Sequence, residues 1–332
     1  MHRKLHGPLA LALLLACNGG GAGSTGDDPT TGGGPATGTV GTGDDPSTGG
    51  GSTQVTSDSP TGEGSSSSSS SSSVTGEPGC EDADKDGFGS GCAGGDDCDD
   101  GVATCTQDCS DLDGNDVPEC AEAPGTGVML FTGANGGGPP TDLYVDSLAA
   151  LYTKAGFATE TTNSFPADFV TTTGTMLLLN PLDPLPDKVL EGARALLLRG
   201  GRVVLIMEHC KGGCYGNAEG DNAFLEALGS SLRLSGEGGA PLSDTPLTLA
   251  AAPPTQGITT VTAYYSGSVM VGDGLALGTM DGGAGDVVLG YEALYNGDIV
   301  VAADSSIFGY MLDKADNSAF VVGLAASVLG GP

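Results

Sequence analysis

Between positions 80 and 120 the chain carries six cysteines, Cys80, Cys92, Cys98, Cys105, Cys109 and Cys120, set among acids and almost nothing apolar. Residues 80–124 hold fourteen Asp and Glu against one Lys, and their only large apolar side chains are Phe88, Leu112 and a pair of valines. A core that small does not fold a segment of this length unaided; crosslinks or metal are needed. Carboxylates at such density also repel one another unless a cation sits among them. Residues 80–124 are therefore expected to form a disulfide-pinned module, with a connectivity that the spacing does not choose.

The acids of this module have ligand spacing. In Asp82-Ala-Asp84-Lys-Asp86-Gly87-Phe88 the carboxylates alternate and a glycine permits a sharp turn, which is how one loop wraps several oxygens around Ca²⁺. As an EF-hand loop its twelfth position would be Ala93, so the bidentate acid is missing. The run resembles instead thrombospondin type 3 and related Asp-rich calcium repeats. That resemblance implies Ca²⁺ held by Asp82, Asp84, Asp86 and Phe88, with closure from among Asp96, Asp97, Asp99 and Asp100, of which Asp97 and Asp99 are the chosen candidates. A second run, Asp111-Leu-Asp113-Gly114-Asn115-Asp116-Val-Pro-Glu119-Cys120, is similar to the same repeat and offers Asp111, Asp113, Asn115 and Glu119. An affinity of roughly 10⁻⁴–10⁻³ M would suit an extracellular module. The plain alternative is a solvated acidic linker.

Upstream, residues 1–16 give a basic head followed by a short apolar core, the layout of an export signal. The apolar core is too short to span a bilayer, which takes ~20 residues. Leu14-Leu15-Ala16-Cys17 resembles the lipobox of bacterial lipoproteins, which implies cleavage before Cys17 and a lipid on its thiol. In that family Asp after the Cys favours inner-membrane retention; Asn18 stands here, so the outer membrane or cell surface is the expected destination. Residues 17–79 are rich in Gly, Ser, Thr and Pro, repeat Thr-Gly-Asp-Asp-Pro at 25–29 and 42–46, and include nine consecutive serines. With so little to bury, ordering would go uncompensated. A disordered tether with an r.m.s. span of about 40–45 Å is expected.

The net charge of −31, with only eleven Lys and Arg, excludes a general nucleic-acid binder, because phosphate neutralisation needs clustered bases. The membrane is expected as a partner only through the lipid anchor, and any further partner is an unspecified protein or glycan.

From residue 125 to 332 apolar runs alternate with amphipathic stretches. Strands are expected at 128–131, 176–179, 202–207, 287–291 and 299–303, with another near 157–161. Helices are expected at 142–155, 187–199, 222–228 (capped by Asp221) and 317–329. About fifty Gly/Pro/Thr-rich residues after 228 show weak β signal. Strands alternating with helices argue an α/β fold with a doubly wound, mostly parallel sheet of the flavodoxin type.

Ligands bind such sheets beyond the carboxyl ends of the strands, where this chain offers Asn180, Glu208, His209, Asp304 and Ser305 as a candidate rim site. The runs Gly200-Gly-Arg-Val-Val-Leu-Ile-Met-Glu208, Asn222…Leu228-Gly229-Ser230 and Ala303-Asp-Ser-Ser-Ile-Phe308 resemble the class I glutamine amidotransferase-like superfamily, in its non-amidotransferase envelope branches. Catalytic members carry Cys in a Gly-x-Cys-x-Gly elbow with a His from elsewhere. Here Cys210 follows Glu208-His209, and His209 is the sole His after the signal. No catalytic triad is expected. For Cys210 and Cys214 a local disulfide is expected in an oxidising compartment; zinc held with His209 and Glu208 or Asp221, or a redox pair, are the alternatives. The reading is an envelope lipoprotein whose calcium-stabilised stalk presents a non-catalytic binding or structural domain. The rival is an envelope hydrolase at Glu208, His209, Asp304 and Ser305.

Overall fold

Uninterrupted apolar runs mark strands covered on both faces. The computed structural model describes residues 81–93, 96–99, 101–133, 144–166, 169–179, 181–209, 216–235, 237–280 and 285–329. In it β1 (Gly127–Phe131), β3 (Thr173–Leu179) and β4 (Arg202–Ile206) are buried along their whole length. β2 (Thr159–Thr162) is polar and lies at the sheet edge, where polar side chains discourage further pairing. β11 (Gly297–Ala302) runs parallel to β4, with Val300 opposite Val204. The parallel half therefore has the order β2-β1-β3-β4-β11.

Beyond β11 the sheet turns antiparallel. β10 (Val287–Leu294) returns as a hairpin, and β9 (Leu275–Thr279), β6 (Thr245–Leu249) and β7 (Val261–Ala263) complete nine strands. β5 (Arg233–Ser235) and β8 (Ser268–Met270) pair separately. The fold is α/β, but the sheet is mixed rather than mostly parallel, because the stretch with weak β signal supplies β5 to β9.

Side chains alternate across a strand, and this alternation builds two cores. Val128, Leu130, Leu177, Val204 and Val300 face one side, packed with Leu148 and Tyr152 of α1 (Val145–Lys154) and Phe320, Val321 and Leu324 of α5 (Asn317–Leu329). Met129, Met176, Leu178, Val203, Leu205 and Val301 face the other. There they meet Phe169 of the single-turn α2 (Phe169–Thr172), Leu196 of α3 (Asp187–Leu198) and Phe224 of α4 (Ala218–Ala227). α4 starts earlier than expected: Asn217, not Asp221, is its cap, accepting from the Gly220 N–H at 3.0 Å. Asp221 is instead buried inside the helix. No helix among the described residues is long and apolar enough to cross a membrane.

Buried polar groups tie the layers together. Arg202, fully buried at the start of β4, forms a two-pronged ion pair with Asp298 of β11, with Nη2 to Oδ2 at 2.7 Å. Its Nη1 donates to the Leu324 carbonyl of α5. The Tyr152 hydroxyl donates to the Val321 carbonyl at 2.8 Å, joining α1 to α5.

The acidic segment has no comparable core. Two interleaved disulfides, Cys98–Cys109 and Cys105–Cys120, hold it, and Cys92 is also disulfide-bonded. Closing a loop of fifteen residues, the separation of Cys105 and Cys120, removes about 3 kcal/mol of unfolded-chain entropy. A 3-10 turn, Glu119–Ala121, lies against α3. Arg194 of α3 pairs with Asp108 at 2.6 Å, and Asn296 Nδ2 donates to the Thr104 carbonyl at 2.9 Å. Cys17, Cys80, Asn180, Cys210 and Cys214 lie outside the described residues, as does residue 1–80 throughout.

Candidate metal centre

An Asp two residues before a backbone N–H folds back to accept from it, so alternating Asp residues coil a chain into successive turns. Residues 82–88 do this. Asp82 Oδ1 accepts from Lys85 N at 2.6 Å and its Oδ2 from Gly87 N at 3.0 Å. Asp84 Oδ1 accepts from Asp86 N at 3.3 Å, and Asp86 Oδ1 from Phe88 N at 2.8 Å. Lys85 and Gly87 take positive φ of 68° and 97°. The Glu81 N–H closes the loop on the Ser90 carbonyl at 3.0 Å.

The four side-chain bonds of this loop recur twenty-nine positions later, and its closing pair recurs with donor and acceptor exchanged. Asp111 accepts from Gly114 N at 2.7 Å and Asp116 N at 2.8 Å; Asp113 Oδ1 accepts from Asn115 N at 3.2 Å; Asn115 Oδ1 accepts from Val117 N at 2.8 Å. Positive φ falls at the matching places, Gly114 at 74° and Asp116 at 68°. Glu119 N donates to the Ser110 carbonyl at 3.0 Å. The two acidic runs are thus one structural motif used twice. A third, shorter echo has Asp97 Oδ1 accepting from Asp99 N at 2.9 Å and Asp99 Oδ1 from Gly101 N at 3.1 Å.

The two loops differ in what their outer oxygens meet. Each gathers three acids with one carboxylate oxygen apiece within 4.8 Å of the others, Asp82, Asp84 and Asp86 in the first and Asp111, Asp113 and Glu119 in the second, but the surroundings are not the same. Asp84 Oδ2, Asp86 Oδ2 and Asp97 Oδ2 are out of contact with solvent and have no hydrogen-bond partner. Burial, and then repulsion from Asp86, Asp97 and Asp82, pushes the Asp84 carboxyl above the usual range. Hard oxygens that crowd together without donors fit a calcium ion, the group that the repeat resemblance implies. Asp82, Asp84, Asp86 and Asp97 would hold it.

In the second loop the outer oxygens are engaged. Asp113 Oδ2 takes Arg199 Nη2 at 2.9 Å, and Glu119 Oε2 and Glu122 Oε2 also bind the Arg199 guanidinium. Glu119 Oε1 accepts from the Leu112 and Asp113 N–H groups at 3.0 and 3.1 Å. Asp111 gives both oxygens to backbone donors; burial raises its carboxyl, but the N–H groups of Asp116, Gly114 and Asn115 outweigh that and hold it below its ordinary value. Nothing in the spacing of residues 111–120 announced an arginine arriving from α3.

The rim residues that the structure describes come together as a closed polar knot. Ser305 Oγ donates to Glu208 Oε2, and His209 N to Glu208 Oε1 at 3.2 Å. Asp304 caps the 3-10 turn Ser305–Phe308: Oδ1 accepts from Ser306 N at 2.8 Å and from its hydroxyl, and Oδ2 from Tyr264 N at 2.7 Å. Burial lifts the Asp304 carboxyl to about 6, despite the hydrogen bonds from Ser306 and Tyr264. The His209 ring meets Tyr265 edge to face, centroids 4.0 Å apart. Glu208 and His209 are each 7% exposed, and Asp304 and Ser305 not at all.

No family model matches the chain, and neither does any curated protein. Among solved structures, the mmIFT52 N-terminal domain is similar over 61% of this chain and 98% of that one, at 10% identity and a TM-score of 0.46. The cytoplasmic protein STM1381 of Salmonella typhimurium LT2 is similar over 60% and 99%, at 13% and 0.46. For a β-galactosidase of Rahnella sp. R3 the shares are 62% and 31%, at 15% and 0.42. Likenesses this remote carry no argument about what this chain binds or does.

Proposed function

We propose that this chain is an exported lipoprotein, anchored through Cys17 at the bacterial outer membrane or cell surface, in which a calcium-stiffened, disulfide-pinned segment presents a non-catalytic α/β binding domain. The observation that carries the reading is the set of three buried, donorless oxygens on Asp84, Asp86 and Asp97. A carboxylate left so costs stability unless a cation joins it. The order β2-β1-β3-β4-β11 matches the flavodoxin-like pattern, and supports that finer assignment for the parallel half. The closed knot of Glu208, Ser305, Asp304 and Ser306 supports a structural role at the strand ends over an amidotransferase-like or hydrolytic one. In this account Glu208 and Asp304 spend their hydrogen bonds on the fold.

Mass spectrometry of the mature protein under native conditions tests the proposal as a whole. The expected result is a diacyl- or triacyl-cysteine at position 17, no free thiol among residues 80–120, and bound calcium. A mature start elsewhere would remove the anchor from the account. A calcium-free species in millimolar calcium would remove the metal.

A further inference from the structure

We infer that Arg199 is the resident cation of the second acidic loop, so that the chain binds one calcium ion in its two copies of the motif, and the second copy serves to dock the acidic segment on the α/β domain. The inference rests on the calcium reading of the first loop and goes beyond it. Its basis is the correspondence of the four side-chain-to-backbone bonds and of the positive-φ positions at an offset of twenty-nine.

Asp84 Oδ2 has no partner, whereas its counterpart Asp113 Oδ2 takes Arg199 Nη2 at 2.9 Å. Asp86 Oδ2 has no partner, whereas the counterpart of Asp86 is Asn115. The Asn115 amide turns that position from acceptor to donor: Nδ2 gives to Asp113 Oδ2 at 3.3 Å and to Glu122 Oε1 at 3.2 Å. An Asn carbonyl can ligate calcium, but here Asn115 Oδ1 takes the Val117 N–H and the outward atom is Nδ2, a donor, so the position turns no oxygen outward where the guanidinium adds a charge. Arg199 is 2% exposed and meets Asp113, Glu119 and Glu122. Guanidinium is weakly hydrated and fork-shaped, which suits it to a buried site with several carboxylates. Because Arg199 is the residue that ends α3, the cation that neutralises the loop also ties it to the domain.

Calcium stoichiometry, measured by titration calorimetry on the disulfide-intact chain, tests this. The expected values are one ion for the natural chain, none for Asp84→Asn with Asp86→Asn, and one more than the natural chain for Arg199→Gln with Asn115→Asp. Two ions in the natural chain, or one retained after Asp84→Asn with Asp86→Asn, would overturn the inference. So would no gain in the Arg199→Gln, Asn115→Asp chain when its disulfides and circular dichroism are intact. No binding by the natural chain but a gain in that variant would sink the calcium reading of the first loop while leaving Arg199 as the occupant of the second.

Discussion

Arg199 of the α/β domain and Glu119 of the acidic segment form an ion pair from which water is excluded, with side chains 2% and 0% exposed. Removing one partner from such a pair leaves the other charge buried, at a cost of about 3–5 kcal/mol. Arg199→Ala strands Glu119 and frees Asp113 and Glu122 to repel it. The expected outcome is a loss of that size in urea unfolding, together with faster cleavage of residues 104–122 by protease. A change below about 1 kcal/mol would mean that the segment is held to the domain by other contacts.

Chelation should act on one half of the segment. Residues 81–93 and 96–99 have no basic partner at Asp84, Asp86 and Asp97, whereas residues 111–122 keep Arg199. EDTA is therefore expected to expose the first half to protease and to leave the second half protected. Equal cleavage of both halves would contradict this division.

Asp221 sits in α4 with Oδ2 unpaired, and burial raises its carboxyl to about 8. The folded chain holds a proton there that the unfolded chain has lost, from about pH 4 upward. Stability contributed by this group is thus full below pH 4, falls as pH rises toward 8, and levels beyond. Asp221→Asn should flatten that slope and add about 1–3 kcal/mol at pH 8, the usual cost of an unsatisfied buried group. Thermal or urea unfolding of both chains from pH 5 to 9 in excess calcium checks it; parallel slopes would refute the assignment.

Ser305 donates to a carboxylate that is 7% exposed. Ser305→Ala is expected to cost about 1–3 kcal/mol of folding free energy. A hydrolase using Ser305 would instead keep its stability and lose turnover of an ester or amide substrate.

Much of this was legible in the sequence. The apolar runs of β1 and β4 and the heptad-like face of α5 were found because burial on both faces or on one helical stripe leaves a local pattern. β5 to β9 were not, since their strands are three to five residues long and β9 places a glycine where layers approach. A Cβ on Gly278 of β9 would lie 2.9 Å from Leu289 Cδ1, so the apolar signal of that strand is thinned where packing is tightest. The start of α4 was misplaced because Asp221 has the chemistry of a cap and Asn217 has it equally. The Asp82 and Asp111 loops were visible as ligand spacing, but Arg199 was not. An arginine ending an apolar helix reads locally as a partner for the helix dipole, and its true partners, Glu122, Glu119 and Asp113, lie far upstream in the chain.

The central claim, one calcium in a twice-used motif, is most directly tested by ¹H–¹⁵N NMR of the backbone during calcium addition. The account predicts that the amide signals of Gly87 and Phe88 move or sharpen at millimolar calcium while those of Asp116 and Val117, their counterparts, stay in place. Movement of Asp116 and Val117, or stillness of all four, would contradict it.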